Sequence, residues 1–179
     1  MPIPLRPTCY SHVVGLRAVR HFQTRTIPAE EIDAILEAAR WTGSARNRQA
    51  WAFVVISDPE DIARLAEAGG ANGPLTRAVL AIGLVRLPGG NDFDLGRAAQ
   101  NIMLAAAARG IGSCPVTLHN QERATAILGL PENHFAQRAI ALGYPDYELE
   151  AASRAERRTA GGSGRKPLEV VVHRGAFRP

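Results

Sequence analysis

The chain has 179 residues, of which 46% are apolar, with a mean hydropathy of −0.09 and a formal charge of +4. The length suits one domain with a real core, and the most apolar run, Ile102 to Ala108, is far too short to cross a bilayer, so no membrane partner is expected. Nearly all the basic residues are arginines spread along the chain, Lys166 is the only lysine, and the one dense cluster (Arg154, Arg157, Arg158, Arg165, Lys166) lacks interleaved aromatics, which speaks against nucleic acid.

From the N-terminus, MPIPLRPTCYSHVV has prolines where a signal peptide would place its apolar helix, so the cytoplasm is the expected compartment. Pro28 followed by Glu30 and Glu31 predicts a helix start. Ile32, Ile35, Leu36 and Ala39 then recur at helical spacing up to Trp41. A polar stretch, GSARNRQ, leads into a β-branched run, Ala52 to Ile56, that predicts a strand. DPEDIARLAEAG predicts a helix capped by Asp58 and stopped at Gly69. A second strand is expected over Ala78 to Val85. Asp92 to Arg109 reads as a long, alanine-rich helix buried almost all round, and its alanines suit a monomer core and a subunit interface equally well. A strand at Ser113 to Leu118, a helix at Gln121 to Leu128 and a strand at Arg138 to Leu142 follow. Residues 149–166 read as a mobile loop, and Leu168 to His173 as a final strand. Helices and strands interleave without regular βαβ units, so the expected fold is α+β, one domain over 1–179 with helices packed on a central sheet.

Chemistry-bearing motifs of the usual kinds are missing. Gly110-Ile-Gly112 follows a helix and enters a strand, the reverse of a dinucleotide fingerprint. There is no G-x-S-x-G, H-E-x-x-H or P-loop. Cys9 and Cys114 are the only cysteines and the five histidines are scattered, so neither a disulfide scaffold nor a metal site is expected. No catalytic acid, base or nucleophile stands out, so any enzyme chemistry belongs to a bound cofactor.

Four ordered segments, LRAVRHF (Leu16 to Phe22), GSARNRQAWAFVV, DLGRAAQNIMLAAAARGIGSC and GRKPLEVVVH, together with ALGYP at Ala141 to Pro145, resemble the FMN-dependent nitroreductase family over about Leu16 to His173. The resemblance implies a mixed, mainly antiparallel central sheet and a homodimer whose C-terminal strand reaches the partner. It also implies FMN in the subunit interface, and hydride passed from NADH or NADPH through FMN to a small acceptor of nitroaromatic or quinone type. Residue by residue, Ser44, Asn47 and Gln49 match positions that hydrogen-bond the flavin, though the same residues would also serve a plain helix exit. Arg17, Ala18 and Arg20 match the first motif, in which guanidinium groups hold flavin oxygens. Two bare surface arginines would look the same in sequence. Pro115, Val116, Thr117 and Leu118 match the segment along the flavin's central ring, where a backbone N–H meets the hydride-accepting nitrogen. Arg165 and Lys166 match the late basic pair at the phosphate. Leu16 and Ala18 depart from the family's arginine and serine, removing two polar contacts. That departure leaves an alternative, a flavin-weakened dimer used for binding or regulation.

Overall fold

Residues 9–70, 73–159 and 164–177 are described by the computed structural model, in two units, Met1–Asp146 and Tyr147–Pro179. In the first unit, helix Cys9–Gly15 (α1) was not anticipated from the sequence. His12 on it donates to the Leu104 carbonyl at 2.8 Å. Helix Ala29–Arg40 (α2) starts after Pro28, with Glu30 and Glu31 in its first turn and Arg40 in its last, so its charges complement the helix dipole. Its buried stripe includes Ile35 and Ala39, and burying the Ile35 side chain alone stabilises by about 1.5–3 kcal/mol. Helix Pro59–Gly69 (α3) is capped as the sequence indicates, the Asp58 carboxylate accepting from the Glu60 and Asp61 amides.

Four strands, Trp51–Ile56 (β1), Leu80–Arg86 (β2), Gly112–Thr117 (β3) and Phe135–Gly143 (β4), form one antiparallel sheet in the order β1-β2-β4-β3. Helix Asp92–Ala108 (α4) runs between β2 and β3, and helix Gln121–Leu128 (α5) between β3 and β4. On one face Ile62, Leu65, Ala124 and Leu128 of α3 and α5 pack against Ala81, Val85, Ala139 and Ala141. On the other, Ile35, Ala39, Ile102 and Ala106 of α2 and α4 pack against Leu80, Ile82, Ile140 and Leu142. The sheet is thus covered on both faces, which is why β2 reads as an unbroken apolar run.

Three expectations need correction. Helix α4 is not buried all round: only Asp94, Ala98, Ile102 and Ala106 are buried, and Phe93 is 75% exposed. In a single chain α4 lies on one side of one sheet, so only one stripe meets the core. In the second unit the expected mobile loop begins instead as a helix, Tyr147–Thr159 (α6), with Glu148 and Glu150 in its first turn, Arg157 and Arg158 in its last, and an Arg154–Glu150 ion pair at 3.4 Å. Residues 160–163 of that expectation lie outside the described residues. The expected final strand is likewise a helical turn, Leu168–Val171 (α7), closed by Val170 N–H to the Pro167 carbonyl and Val172 N–H to the Leu168 carbonyl. A strand must pair with another strand, and with no sheet edge joined to it this valine-rich segment satisfies its backbone locally, leaving Leu168, Val170, Val171 and Val172 exposed.

Candidate functional site

The connection from α2 to β1 carries unusual backbone. Arg46, Asn47 and Gln49 have φ of 54°, 53° and 49°. The left-handed region is unfavourable for residues with a Cβ, and three such residues within four positions persist only if the surroundings impose them. Within the loop, the Ser44 hydroxyl accepts from the Gln49 amide at 2.9 Å, and the Asn47 amide donates to the Ser44 carbonyl at 3.0 Å.

The outer constraint comes from α4. Asp94, 7% exposed, accepts from the Ala45 amide at 3.1 Å and from the Asn91 side chain at 2.9 Å. These bonds hold its carboxyl below the usual aspartate range, the Asn91 side chain first and the Ala45 amide second. One turn on, Arg97 donates to the Gly43 carbonyl at 2.7 Å. One turn further, Asn101 donates to the Thr42 hydroxyl at 2.8 Å, with a longer contact of 3.4 Å to the Ala38 carbonyl. Positions 94, 97 and 101 share one helix face, so this polar stripe fastens the end of α2 and the loop that follows it, from Ala38 to Ala45. Sequence reading missed these residues as site residues, although polar groups at i, i+3 and i+7 on an alanine-rich helix are the signal that marks them. The loop's far end is held by the turn after β2. There the Leu87 amide donates to the Ala50 carbonyl at 3.2 Å, and a Cβ on Gly90 would stand 2.5 Å from the Ala50 oxygen.

The first motif lies elsewhere. The Val19 amide donates to the Ser113 carbonyl at 2.9 Å, and Phe22 pairs with Pro145, so this strip runs along the free edge of β3 and on to the end of β4. It sits so close that a Cβ on Gly112 would stand 2.8 Å from the Val19 β-carbon, and one on Gly143 2.7 Å from that of Phe22. Arg17 is exposed and donates to the Val14 and Leu16 carbonyls at 2.7 and 2.8 Å. Arg20 is half-buried, and its carbonyl accepts from Arg77 at 3.1 Å. Ala18 between them is half-buried.

Pro115, Val116 and Thr117 are in β3, with Leu118 just beyond it. Because the Ser113 carbonyl faces the Val19 strip, alternation along the strand turns the backbone groups of residues 115 and 117 outward as well, while the Leu118 amide turns inward to the Gln137 carbonyl at 3.0 Å. Pro115 has no N–H. Of the four residues, Thr117 alone therefore offers an outward-facing amide. Arg165 and Lys166 are exposed in the second unit, in the stretch leading to Pro167.

Within the first unit, then, the anticipated residues fall into two groups. Ser44, Asn47 and Gln49 precede β1, one edge of the sheet, whereas Arg17, Ala18, Arg20 and Pro115 to Leu118 gather at β3, the other edge. Three strand spacings, about 14 Å, separate the edges.

A match to the Nitroreductase family covers residues 14–82 and 85–144. The chain belongs to the nitroreductase family, a family of oxidoreductases. A protein of Archaeoglobus fulgidus, provisionally named NADH dehydrogenase/NAD(P)H nitroreductase, is 34% identical over 153 residues, covering 79% of this chain and 88% of its own. The FMN reductase (NADPH) of Bacillus subtilis is 24% identical over 192 residues, covering 92% and 72%. Nitroreductase A of Vibrio parahaemolyticus superposes with a TM-score of 0.84 at 23% identity, covering 98% and 78%, a likeness that shows the fold.

Proposed function

We propose that the nitroreductase-family chain is an FMN-dependent oxidoreductase that takes hydride from NADH or NADPH and works as a homodimer. The observation that carries this reading is the division of the candidate flavin residues between opposite edges of one sheet. One chain offers two half-sites, and a second copy would supply the missing half of each. The names of relatives agree, among them the FMN reductase of Bacillus subtilis and an NADPH-flavin oxidoreductase of Vibrio harveyi.

The donor set fits the cofactor. Ser44, Asn47 and Gln49 supply hydroxyl and amide groups on a loop whose conformation is fixed before any ligand arrives, and Arg17, Arg20, Arg165 and Lys166 supply the cations that a phosphate and an electron-rich pyrimidine need. The outward Thr117 amide is the donor assigned to the flavin's hydride-accepting nitrogen. When bound, FMN supplies the hydride and electron chemistry. The chain's part is to bind, orient and keep water out. This reading is favoured over a non-enzymatic dimer, although Leu16 and Ala18 take away two polar contacts.

Complementation tests it. A double variant, Arg17→Ala with Arg20→Ala, and a triple variant, Ser44→Ala with Asn47→Ala and Gln49→Ala, are each expected to lose most of their flavin absorption. Co-expressed, they form mixed dimers in which one site has both halves intact, and the yellow band returns with NAD(P)H oxidation. No recovery in dimers shown to be mixed would sink the two-chain site.

A further inference from the structure

Between α4 and the sheet lies a cleft of 260 Å³ to which none of the candidate flavin residues contributes. Its apolar part is Leu84, Leu95 and Ala99, and its polar part is Arg86, Gln137 and Arg138, with Asp92 and Phe135 at the sides. A β-bulge shapes it. Leu84 pairs with Arg138 and Arg86 with Phe135, so Val85 alone faces both Ala136 and Gln137. Alternation would send Gln137 and Arg138 to opposite faces, but the extra residue turns both toward α4. Gly96 opens the helix side, since a Cβ there would meet nothing within 4 Å.

The charges in the cleft are unequal. Arg86 is held in place, with Nε 3.3 Å from Asp92 and its guanidinium 5.0 Å above the Phe135 ring. Arg138 donates to the Gln137 carbonyl at 2.9 Å, and among the described residues no carboxylate lies within salt-bridge distance of it. The cleft therefore has an apolar floor, one exposed aromatic edge and one uncompensated guanidinium. A cavity of about 150 Å³ already accommodates benzene, whereas pockets for drug-sized ligands measure about 300–1,000 Å³. At 260 Å³ the space suits one ring with a small charged substituent, and is small for a tricyclic flavin. Its place is also informative. Thr117 pairs directly with Arg138 across β3 and β4, so the two side chains stand about 5 Å apart on the same face.

We propose that this cleft binds a monocyclic aromatic carboxylate, with Arg138 pairing the carboxylate and Phe135, Leu84 and Ala99 receiving the ring, and that such a molecule is the electron acceptor. The binding rests on the cleft alone. The acceptor role rests on the oxidoreductase reading above. For a nitrobenzoate the balance is ArNO2 + NAD(P)H + H⁺ → ArNO + NAD(P)⁺ + H2O, the nicotinamide being oxidised by two electrons and the nitro group reduced by two.

Calorimetric titration of the purified protein with benzoate and with uncharged benzamide tests the site without any turnover. Saturable benzoate binding is expected, at least tenfold tighter than benzamide, and weakened tenfold or more by Arg138→Gln and by Arg86→Gln. No benzoate binding, as when a second copy of the chain fills the cleft, or equal binding of benzamide, or indifference to both substitutions, overturns the proposal. With NAD(P)H, kcat/KM for 4-nitrobenzoate should exceed that for methyl 4-nitrobenzoate at least tenfold, and Arg138→Gln should erase the difference. Equal values for acid and ester overturn the acceptor role. A colourless protein that turns over neither compound defeats the flavoenzyme reading and the acceptor role together, while the benzoate titration still decides the site.

Discussion

If the loop between α2 and β1 is held in strain by α4, relieving that strain should stabilise the protein and loosen its grip on flavin. Arg46 is the position to use, because its φ is 54°, its side chain is exposed, and no flavin contact is assigned to it. A residue with a Cβ in the left-handed region costs roughly 1–2 kcal/mol. Glycine removes that term but adds roughly 0.5–1 kcal/mol of chain entropy to be lost on folding. Arg46→Gly should therefore stabilise by about 0.5–1 kcal/mol, which for a chain of this size raises Tm by about 1–4 °C. The same freedom must be frozen when a ligand binds, so the FMN dissociation constant should rise about two- to fivefold. Arg46→Ala separates the causes, since it removes the side chain and keeps the Cβ. Scanning calorimetry at fixed protein concentration, with FMN titration of all three proteins, reads both effects. Should Arg46→Gly melt at or below wild type, or should Arg46→Ala gain as much, the loop stores no strain.

Replacing Arg17 or Arg20 by alanine removes a charge-assisted hydrogen bond worth roughly 1.5–3 kcal/mol, so FMN affinity should fall about tenfold to a hundredfold by fluorescence titration. Arg64→Ala, on the exposed face of α3, should change nothing, and Arg20→Lys should recover part of the loss. The Asp94 carboxyl is held below its ordinary value in the folded chain, so what it contributes is present above the unfolded pKa of about 3.9 and is lost as pH falls through the folded pKa. In urea titrations from pH 7 to pH 2, Asp94→Asn should be less stable than wild type at neutral pH and converge with it at the acid end. Parallel curves would show that the carboxylate does not anchor Ala45. Gly112→Ala would drive a methyl group to 2.8 Å from the Val19 β-carbon, costing about 1–3 kcal/mol and displacing the Arg17 to Arg20 strip, whereas Gly15→Ala meets open space and should be silent in both Tm and FMN titration.

What the sequence made legible was whatever a few neighbouring residues decide. Asp58 caps α3 because its carboxylate reaches amides two and three residues on, and the helix and strand cores follow from periodicity that survives any packing. The C-terminal valines were misread for the complementary reason. β-branched composition favours a strand only where a sheet edge accepts it, and the 168–173 segment, given none, closed on Pro167 and Leu168 instead. The left-handed Arg46 and Gln49 carry no compositional mark, since neither residue type prefers that region; the stretch just before them is tied at Ala45 and Gly43 by Asp94 and Arg97, about fifty positions away. The β4 bulge is hidden for the same reason, because FAQRAIALG alternates plausibly in either register until β2 fixes the pairing. Motif order in the chain likewise says nothing of edges. Ser44 and Thr117 belong to one resemblance, and only the strand order β1-β2-β4-β3 shows that their groups stand at opposite edges of one sheet.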